Sequence, residues 1–162
     1  MATVTTLAKA IGGKGNPGRK PYLVEVEINL ATAATAKGSS LAANDIIQAI
    51  TVSAGTAILY SGTEVLVAPA GGNSGTFDLG ITGGDVDAFV DGGAITGAAA
   101  GAYSAMANTA VPIVSAASDT IDMLLLGTTP DTSGVIRVYA MLMDVTATGI
   151  QGANEVDRDT LA

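Results

Sequence analysis

Segments in which apolar and polar residues alternate recur along this chain, and glycine-rich stretches separate them. Residues 22–30 alternate cleanly, with Val24 and Val26 on one side and Glu25 and Glu27 on the other. A period of two is typical of a strand with one buried face. The chain also contains 21 glycines, whereas an average usage of about 7 % gives roughly 11 in this length. Because glycine favours turns and weakens helices, the sequence predicts an all-β domain.

Turn residues and apolar runs divide the rest of the chain into further short strands, about eight in all. After the first strand, they are predicted at 45–53, 56–67, 76–81, 103–115, 120–126 and 135–145. Breaks are expected at Gly55 and at the Ser61-Gly62 pair, a loop at 69–75, and the longest strand at 135–145. Pro112 places part of its strand at an edge or a bulge. Frequent turns between short strands favour an antiparallel sandwich or barrel.

Two segments depart from the strand pattern. Residues 31–43 are rich in alanine, but Thr32, Thr35 and Gly38 favour a loop or an edge strand over a helix. Residues 85–91 carry an acid at their start and end at a glycine pair, so one helical turn is expected there.

Charge is divided unevenly along the chain. The first twenty residues contain four basic residues and no acid, while the remainder contains all fifteen acidic residues and three basic ones, which gives charges of +4 and −12. The segment 12–18 is too rich in glycine for a helix or a strand. The chain therefore divides into an extended basic N-terminal arm at 1–20, a β-domain at 21–146 and a polar tail at 147–162.

The basic arm is either a solvated tail or a segment that docks on an acidic protein surface. Ordering about twenty residues costs on the order of 20–40 kcal/mol of backbone entropy, so charge alone cannot hold the arm in place. Its apolar residues Val4, Leu7 and Ile11 must dock too, or strand pairing must satisfy the backbone. We expect the arm to be loose in the isolated protein and ordered on a neighbouring subunit or a shell.

The chain contains no histidine, cysteine or tryptophan. It therefore lacks the commonest general base at neutral pH, thiolate nucleophiles, and the usual ligands of zinc and haem. Two groups of acidic residues are candidates for a site. The first is Asp85, Asp87 and Asp91, and the second is Asp78, Asp122 and Asp144. The first group does not match an EF-hand, because Phe89 occupies a ligand position. The residues of the second group lie on or beside predicted strands, but any acidic β-protein contains comparable trios, so they do not indicate a catalytic site. No catalytic, cofactor or metal site is predicted.

Nucleic acid and membrane are not expected as partners. An acidic domain repels phosphate backbones. The uncharged stretch 92–118 consists mostly of alanine, glycine, serine and threonine, without the leucine and isoleucine density of a membrane span. The first ten residues show no sustained apolar run behind a basic region, so no signal peptide is predicted.

The strand 135–145 has two distinct faces. One is apolar, and the other carries Arg137, Tyr139, Met141 and Met143. This second face lies either beneath another sheet or the arm, or in a subunit contact, because tyrosine and methionine suit interfaces. Only 14 % of residues are charged, against roughly 25 % in average domains, which favours a surface covered by subunits. The candidate interaction residues are therefore Lys14, Arg19, Lys20, Tyr139, Met141 and Met143.

Three segments together resemble a known family. They are GTFDLGITGGDVDAFVDG at 75–92, DTIDMLLL at 119–126 and GVIRVYAMLMD at 134–144. Within residues 21–146 they resemble small virion structural proteins of tailed bacteriophages, of the capsid decoration (cement) or head-fibre kind. The resemblance implies a jelly-roll-like antiparallel β-sandwich without catalytic residues. It also implies a homotrimer, made in the host cytoplasm, that binds the major capsid protein on the outer surface of the virion.

Two other classes remain open. A pilus or S-layer subunit requires an export signal. A carbohydrate-binding module of a tail fibre requires an aromatic platform, and the chain has four tyrosines, two phenylalanines and no tryptophan.

Overall fold

The computed structural model describes residues 3–4, 20–72, 74–81, 83–105, 112–127 and 132–145. Within these residues the chain forms ten strands and one helix. The elements are β1 (Thr3–Val4), β2 (Tyr22–Asn29), α1 (Leu30–Lys37), β3 (Ile46–Val52), β4 (Thr56–Ala70), β5 (Thr76–Ile81), β6 (Val90–Ala94), β7 (Tyr103–Ala105), β8 (Ile113–Val114), β9 (Asp119–Leu126) and β10 (Ser133–Asp144).

The strands form two sheets. Sheet A has the order β1-β3-β9-β5-β6, and sheet B has the order β2-β10-β4-β7, with β8 paired to one end of β4. Every pairing in sheet B and every pairing among β3, β9, β5 and β6 is antiparallel. Between β1 and β3 the pairing is parallel.

The order of pairing along the chain is that of one long antiparallel hairpin rolled around itself. Setting aside the two-residue strands β1 and β8, the first strand pairs with the last (β2 with β10), and the next pair inwards is β3 with β9. The series continues with β4 and β7 and ends with β5 and β6. Rolling adds the pairings of β10 with β4 and of β9 with β5. This is a jelly roll, which confirms the predicted all-β, jelly-roll-like sandwich.

The hydrophobic core fills the space between the two sheets. The predicted apolar face of β10 is buried, with Ile136, Val138 and Ala140 all fully covered. Burial of each large apolar side chain stabilises the fold by about 1.5–3 kcal/mol. The largest fully buried side chains are Phe77, Phe89, Ile28, Leu30, Ile47, Ile50, Ile58, Leu79, Ile95, Ile121, Met123 and Leu125.

The prediction of a loop or edge strand at 31–43 is wrong, because Leu30–Lys37 forms helix α1. The Asn29 side chain accepts a hydrogen bond from the Thr32 backbone N–H at 3.1 Å and caps the first turn. Gly38 adopts a φ of 79° and ends the helix in the left-handed conformation. Leu30 and Ala33 are buried in the core. Two caps and this packing outweigh the weak helix propensity of threonine.

The helical turn expected at 85–91 is also absent. The backbone of Asp85 instead accepts a hydrogen bond from Ile81 at 2.9 Å, and Val90 already begins β6. The Asp85–Val86 backbone lies directly over Gly80, where any Cβ atom would overlap it. The Asp85 carbonyl also accepts a hydrogen bond from the Ala88 N–H at 3.4 Å, but this single turn does not continue into a helix.

The longest strand is β4, with 15 residues, rather than β10, with 12. It runs through the Ser61-Gly62 pair, where a break was expected, and through Pro69, which was placed in a loop. The Ser61 hydroxyl donates to the Tyr139 carbonyl of β10 at 2.9 Å, so serine is held within the sheet rather than in a turn.

Most of the predicted arm and the whole predicted tail at 147–162 lie outside the described residues. Thr3 and Val4 differ from the expectation of a loose arm, because they pair with Ile46 and Ile47 of the same chain. An exposed edge of β3 offers unpaired backbone groups, and β1 satisfies part of that edge.

A buried ion pair joins helix α1 to the start of β3. The Lys37 ammonium donates to the Asp45 carboxylate at 2.5 Å and to the Ser40 carbonyl at 2.7 Å. The same carboxylate accepts from the Ala42 backbone N–H at 2.8 Å. The Asp45 side chain is only 3 % exposed, so the pair connects the helix to the sheet inside the protein.

We expect Lys37→Met to lower the free energy of unfolding by about 3–5 kcal/mol, because it leaves the buried Asp45 carboxylate without its counter-ion. Urea unfolding followed by circular dichroism measures the change. The exposed Lys20→Met is the matched control and should be neutral. Adding Asp45→Asn to Lys37→Met should recover part of the loss, and equal losses in the single and double variants would contradict the ion-pair argument.

We expect Gly93→Ala to destabilise the fold by about 1–3 kcal/mol through overpacking. A Cβ atom at Gly93 would lie inside 3.0 Å of ring carbons of Phe77, which is buried in the core. Gly84→Ala is the control, because its Cβ atom would meet nothing closer than 3.6 Å, and its effect should stay within about 0.5 kcal/mol. Thermal unfolding of both variants tests the difference.

Candidate interaction surface on the outer face of sheet B

The outer face of sheet B carries a row of charged and polar side chains across four strands. Glu27 of β2, Arg137 of β10, Glu64 of β4 and Tyr103 of β7 lie opposite one another in register. The Arg137 guanidinium donates to Glu27 and to Glu64, each at 3.2 Å. Its Nε atom lies 3.7 Å from a carboxylate oxygen of Glu25. Arg137 thus joins its own strand β10 to both neighbours, the edge strand β2 and the inner strand β4, through their side chains.

Electrostatics within this row follow from three carboxylates around one cation. The hydrogen bond to Glu27, supported by the charges of Glu25 and Glu64, raises the pKa of Arg137, so the guanidinium stays charged. A hydrogen bond to Glu64 raises the pKa of the Tyr103 hydroxyl. Because one guanidinium faces three carboxylates, the row keeps a surplus of negative charge.

Beside this row lies a pair of stacked tyrosines. The rings of Tyr60 and Tyr139 have centroids 5.9 Å apart and an interplanar angle of 21°. Tyr139 covers Gly62, and a Cβ atom there would lie 2.8 Å from the Tyr139 hydroxyl oxygen. Burial, followed by the hydrogen bond to Tyr60, raises the pKa of Tyr139 to about 12. With Tyr103, three of the four tyrosines of the chain lie on this one face.

Large apolar side chains are also exposed on this face. Leu23 is 61 % exposed, Tyr103 64 % and Met141 41 %. Leu23, Met141 and Tyr60 lie opposite one another on β2, β10 and β4. Exposed apolar groups that adjoin one another, bordered by charge and rich in tyrosine and methionine, are typical of protein contact surfaces. We call this the sheet B face: Leu23, Glu25, Glu27, Tyr60, Glu64, Tyr103, Arg137, Tyr139 and Met141.

The structure brings together only part of the predicted interaction set. Tyr139 and Met141 lie on the sheet B face, and Met143 is half-buried near the end of β10, in register with Ala57. Lys20 is exposed immediately before β2. Lys14 and Arg19 lie outside the described residues. The interpretation that a second sheet covers this face is wrong, because sheet A packs against the opposite face of β10.

Sequence reasoning missed Leu23, Tyr60, Tyr103 and Glu64 as members of this surface. Leu23 and Tyr60 are in register with Met141 only because β10 pairs with both β2 and β4. Alternation within a strand gives the outward side of each residue, but not the strand that lies next to it. The feature of the sequence that could have indicated this surface was the predicted outward position of Glu25 and Glu27 on the first strand.

The two acidic groups do not form a site. The hydrogen bond that protonated Asp85 shares with the Asp87 carboxylate raises the pKa of Asp85. Among the described residues, no group of three or more acidic, histidine or cysteine side chains could hold a metal ion. Asp78 and Asp122 lie on adjacent strands of sheet A, whereas Asp144 lies in sheet B, so the trio does not converge. Asp78 accepts from the Gly92 backbone N–H at 2.8 Å and thereby holds β6.

Within the described part of the chain, no helix has the length and apolar character needed to cross a membrane.

Comparison with known proteins gives structural neighbours alone. No protein-family model and no curated protein sequence matches the chain. A chain from the capsid of Ralstonia phage GP4 is similar over 90 % of this chain and 100 % of its own length, with a TM-score of 0.63 and 14 % identity. A chain from the capsid asymmetric unit of cyanophage Pam1 is similar over 83 % of this chain and 91 % of its own, with a TM-score of 0.56 and 14 % identity. The sandwich is thus a fold found in phage capsids.

We expect the protein to lose stability as the pH rises from about 10 to about 12. Tyr139 has a folded-state pKa of about 12, against 10.0 for an ordinary tyrosine. The unfolded state therefore loses its proton first, and the stabilisation present below pH 10 disappears as the pH approaches the folded-state pKa. Tyr22 and Tyr103 are shifted in the same direction. Urea unfolding across this range should show a shallower decline for Tyr139→Phe, and identical declines would contradict the assignment.

Proposed function

We propose that this protein is a non-enzymatic virion structural protein that binds the outer surface of a phage head and stabilises the capsid lattice. The observation that carries the proposal is the match of nearly the whole chain to a full-length chain from a phage capsid. A second phage capsid gives an independent match. The three segments that resemble decoration proteins lie in β5 and the connection that follows it, in β9 and in β10. The resemblance and the fold comparison both support a structural protein of a phage virion.

The physical properties of the sandwich suit attachment to a lattice. A shell displays many identical sites, so modest contacts from each copy gain strength when copies are joined in an oligomer. A protein that binds only the assembled shell shifts the equilibrium towards assembly and raises its thermal stability. This role needs shape and contact surface, and it requires neither a cofactor nor a catalytic group.

The partners we propose are the major capsid protein and further copies of this chain. The sheet B face supplies a contact surface with exposed Leu23, Met141 and Tyr103. We propose a homotrimer on the strength of the resemblance to decoration proteins, and synthesis in the host cytoplasm follows from the same class.

A second candidate function is glycan binding, as in a tail-fibre module. One observation favours it: the fold brings Tyr60, Tyr103 and Tyr139 together on one exposed face. The carboxylates beside them can accept hydrogen bonds from sugar hydroxyl groups. Binding of the protein to host surface polysaccharide, lost in Tyr103→Ala, would support this candidate and would replace the capsid proposal if head binding is absent.

We expect purified protein to bind heads that were prepared without it, to saturate at a fixed ratio to the capsid protein, and to raise the temperature at which those heads break open. Sedimentation of heads with bound protein and thermal scanning of the heads measure both effects. A variant lacking residues 2–18 should keep the folded β-domain, seen by circular dichroism, but bind heads more weakly. Folded wild-type protein that neither sediments with heads nor stabilises them would contradict the proposal.

A further inference from the structure

The folded body of this protein has few positive charges to offer a partner. Of its basic residues, Lys37 is buried against Asp45, and Arg137 is held by Glu25, Glu27 and Glu64. The remaining basic residues are Arg158, near the C-terminus, and the four that the first twenty residues contain, Lys9, Lys14, Arg19 and Lys20. The bodies of two copies therefore repel each other, and the main source of attraction by charge is the basic arm.

The sheet B face and the basic arm are complementary in charge, and both contain apolar residues. The Glu25 and Glu27 side chains are 55 % and 60 % exposed along the β2 border, although both contact Arg137. Leu23 and Met141 lie exposed beside them. A segment that combines basic and apolar residues would neutralise the surplus carboxylate charge and cover the apolar groups together.

The arm has the composition and the length for this contact. It combines its four basic residues with the apolar residues Leu7 and Ile11. Residues 5–19 join β1, at the edge of sheet A, to Lys20 beside β2. Fifteen extended residues span roughly 50 Å. Because both ends of this segment are joined to the sandwich, it can loop out by about half of that distance, which is enough to contact an adjoining copy.

We propose that the basic arm of one copy docks on the sheet B face of another copy, with Lys14, Arg19 and Lys20 near Glu25 and Glu27. The predicted basic residues of the arm and the predicted residues Tyr139 and Met141 of the sheet B face then lie on the two sides of one contact. Such a head-to-tail contact joins two different surfaces, and it closes into a ring when the rotation between copies permits. The inference deepens the proposed function, because it makes self-association the way in which copies gain multivalent attachment to a shell.

Because the natural chain has no cysteine, single-cysteine variants test this contact directly. Lys14→Cys protein is mixed with Leu23→Cys protein at low micromolar concentration under mild oxidation, and covalent dimers are counted on non-reducing gels. Val86→Cys replaces Leu23→Cys as the control, because Val86 is also exposed but lies in the turn over the outer side of sheet A. We expect the Lys14–Leu23 pair to cross-link at least about tenfold faster than the Lys14–Val86 pair, and less rapidly as salt rises.

Charge exchange provides the second readout. Arg19→Glu and Lys20→Glu, added to the Lys14→Cys chain, should slow cross-linking at least about tenfold. Glu25→Lys and Glu27→Lys, added to the Leu23→Cys chain, should restore the rate when the two charge-reversed chains are mixed. Thermal unfolding of each variant confirms that the sandwich remains folded.

Three results would overturn the proposal. Equal cross-linking rates with Leu23→Cys and Val86→Cys mean that the arm meets the sheet B face only by random encounter and does not bind it. A Lys14→Cys/Leu23→Cys double variant that closes only within its own chain, at every concentration, means that the arm covers its own face. Failure of both reactions means that the arm does not reach the face. Each experiment uses isolated protein, so its failure leaves the binding of heads as a separate question.

Discussion

The structure depends on the position of β10 between β2 and β4. This strand joins the first strand of the rolled hairpin to the middle of sheet B, and its period of two sends alternate side chains to opposite faces. Ile136 and Val138 therefore close the core, while Arg137 and Tyr139 are held on the outer face. A shift of one residue in this register would bury Arg137 and expose the core, so packing and surface are fixed by the same pairing.

The sheet B face combines properties that a lone soluble domain rarely combines. Its apolar side chains are exposed, its tyrosines are stacked, and its single guanidinium is shared among three carboxylates. Arg137 stiffens the surface by joining neighbouring strands, but it leaves negative charge for a partner to neutralise. A rigid, acidic and partly apolar surface in a chain whose first twenty residues are basic has the complementary charges that the proposed contact between copies requires, despite the net charge of −8.

The strands with strong alternation were predictable from sequence because each needs only one buried face. Residues 22–30 and 76–81 became strands close to the predicted bounds. Residues 120–126 did so too, but that strand was predicted from its nearly continuous apolar run rather than from alternation. Helix α1 was missed because its stability comes from the Asn29 cap and from burial of Leu30 rather than from propensity. The break expected at Ser61-Gly62 was wrong because Tyr139, a neighbour only in the folded sheet, fills the space above the glycine.

By itself, the sequence determined the fold class, the inward face of β10 and the separation of basic arm from acidic body. These properties depend on residue type and local spacing, which folding does not change. Only the tertiary structure decided which strands are neighbours, and therefore that Leu23, Tyr60 and Met141 form one exposed row beside Glu25, Glu27, Glu64 and Arg137. Contacts between strands far apart in the chain depend on how the hairpin rolls, and that is set by the packing of the whole core.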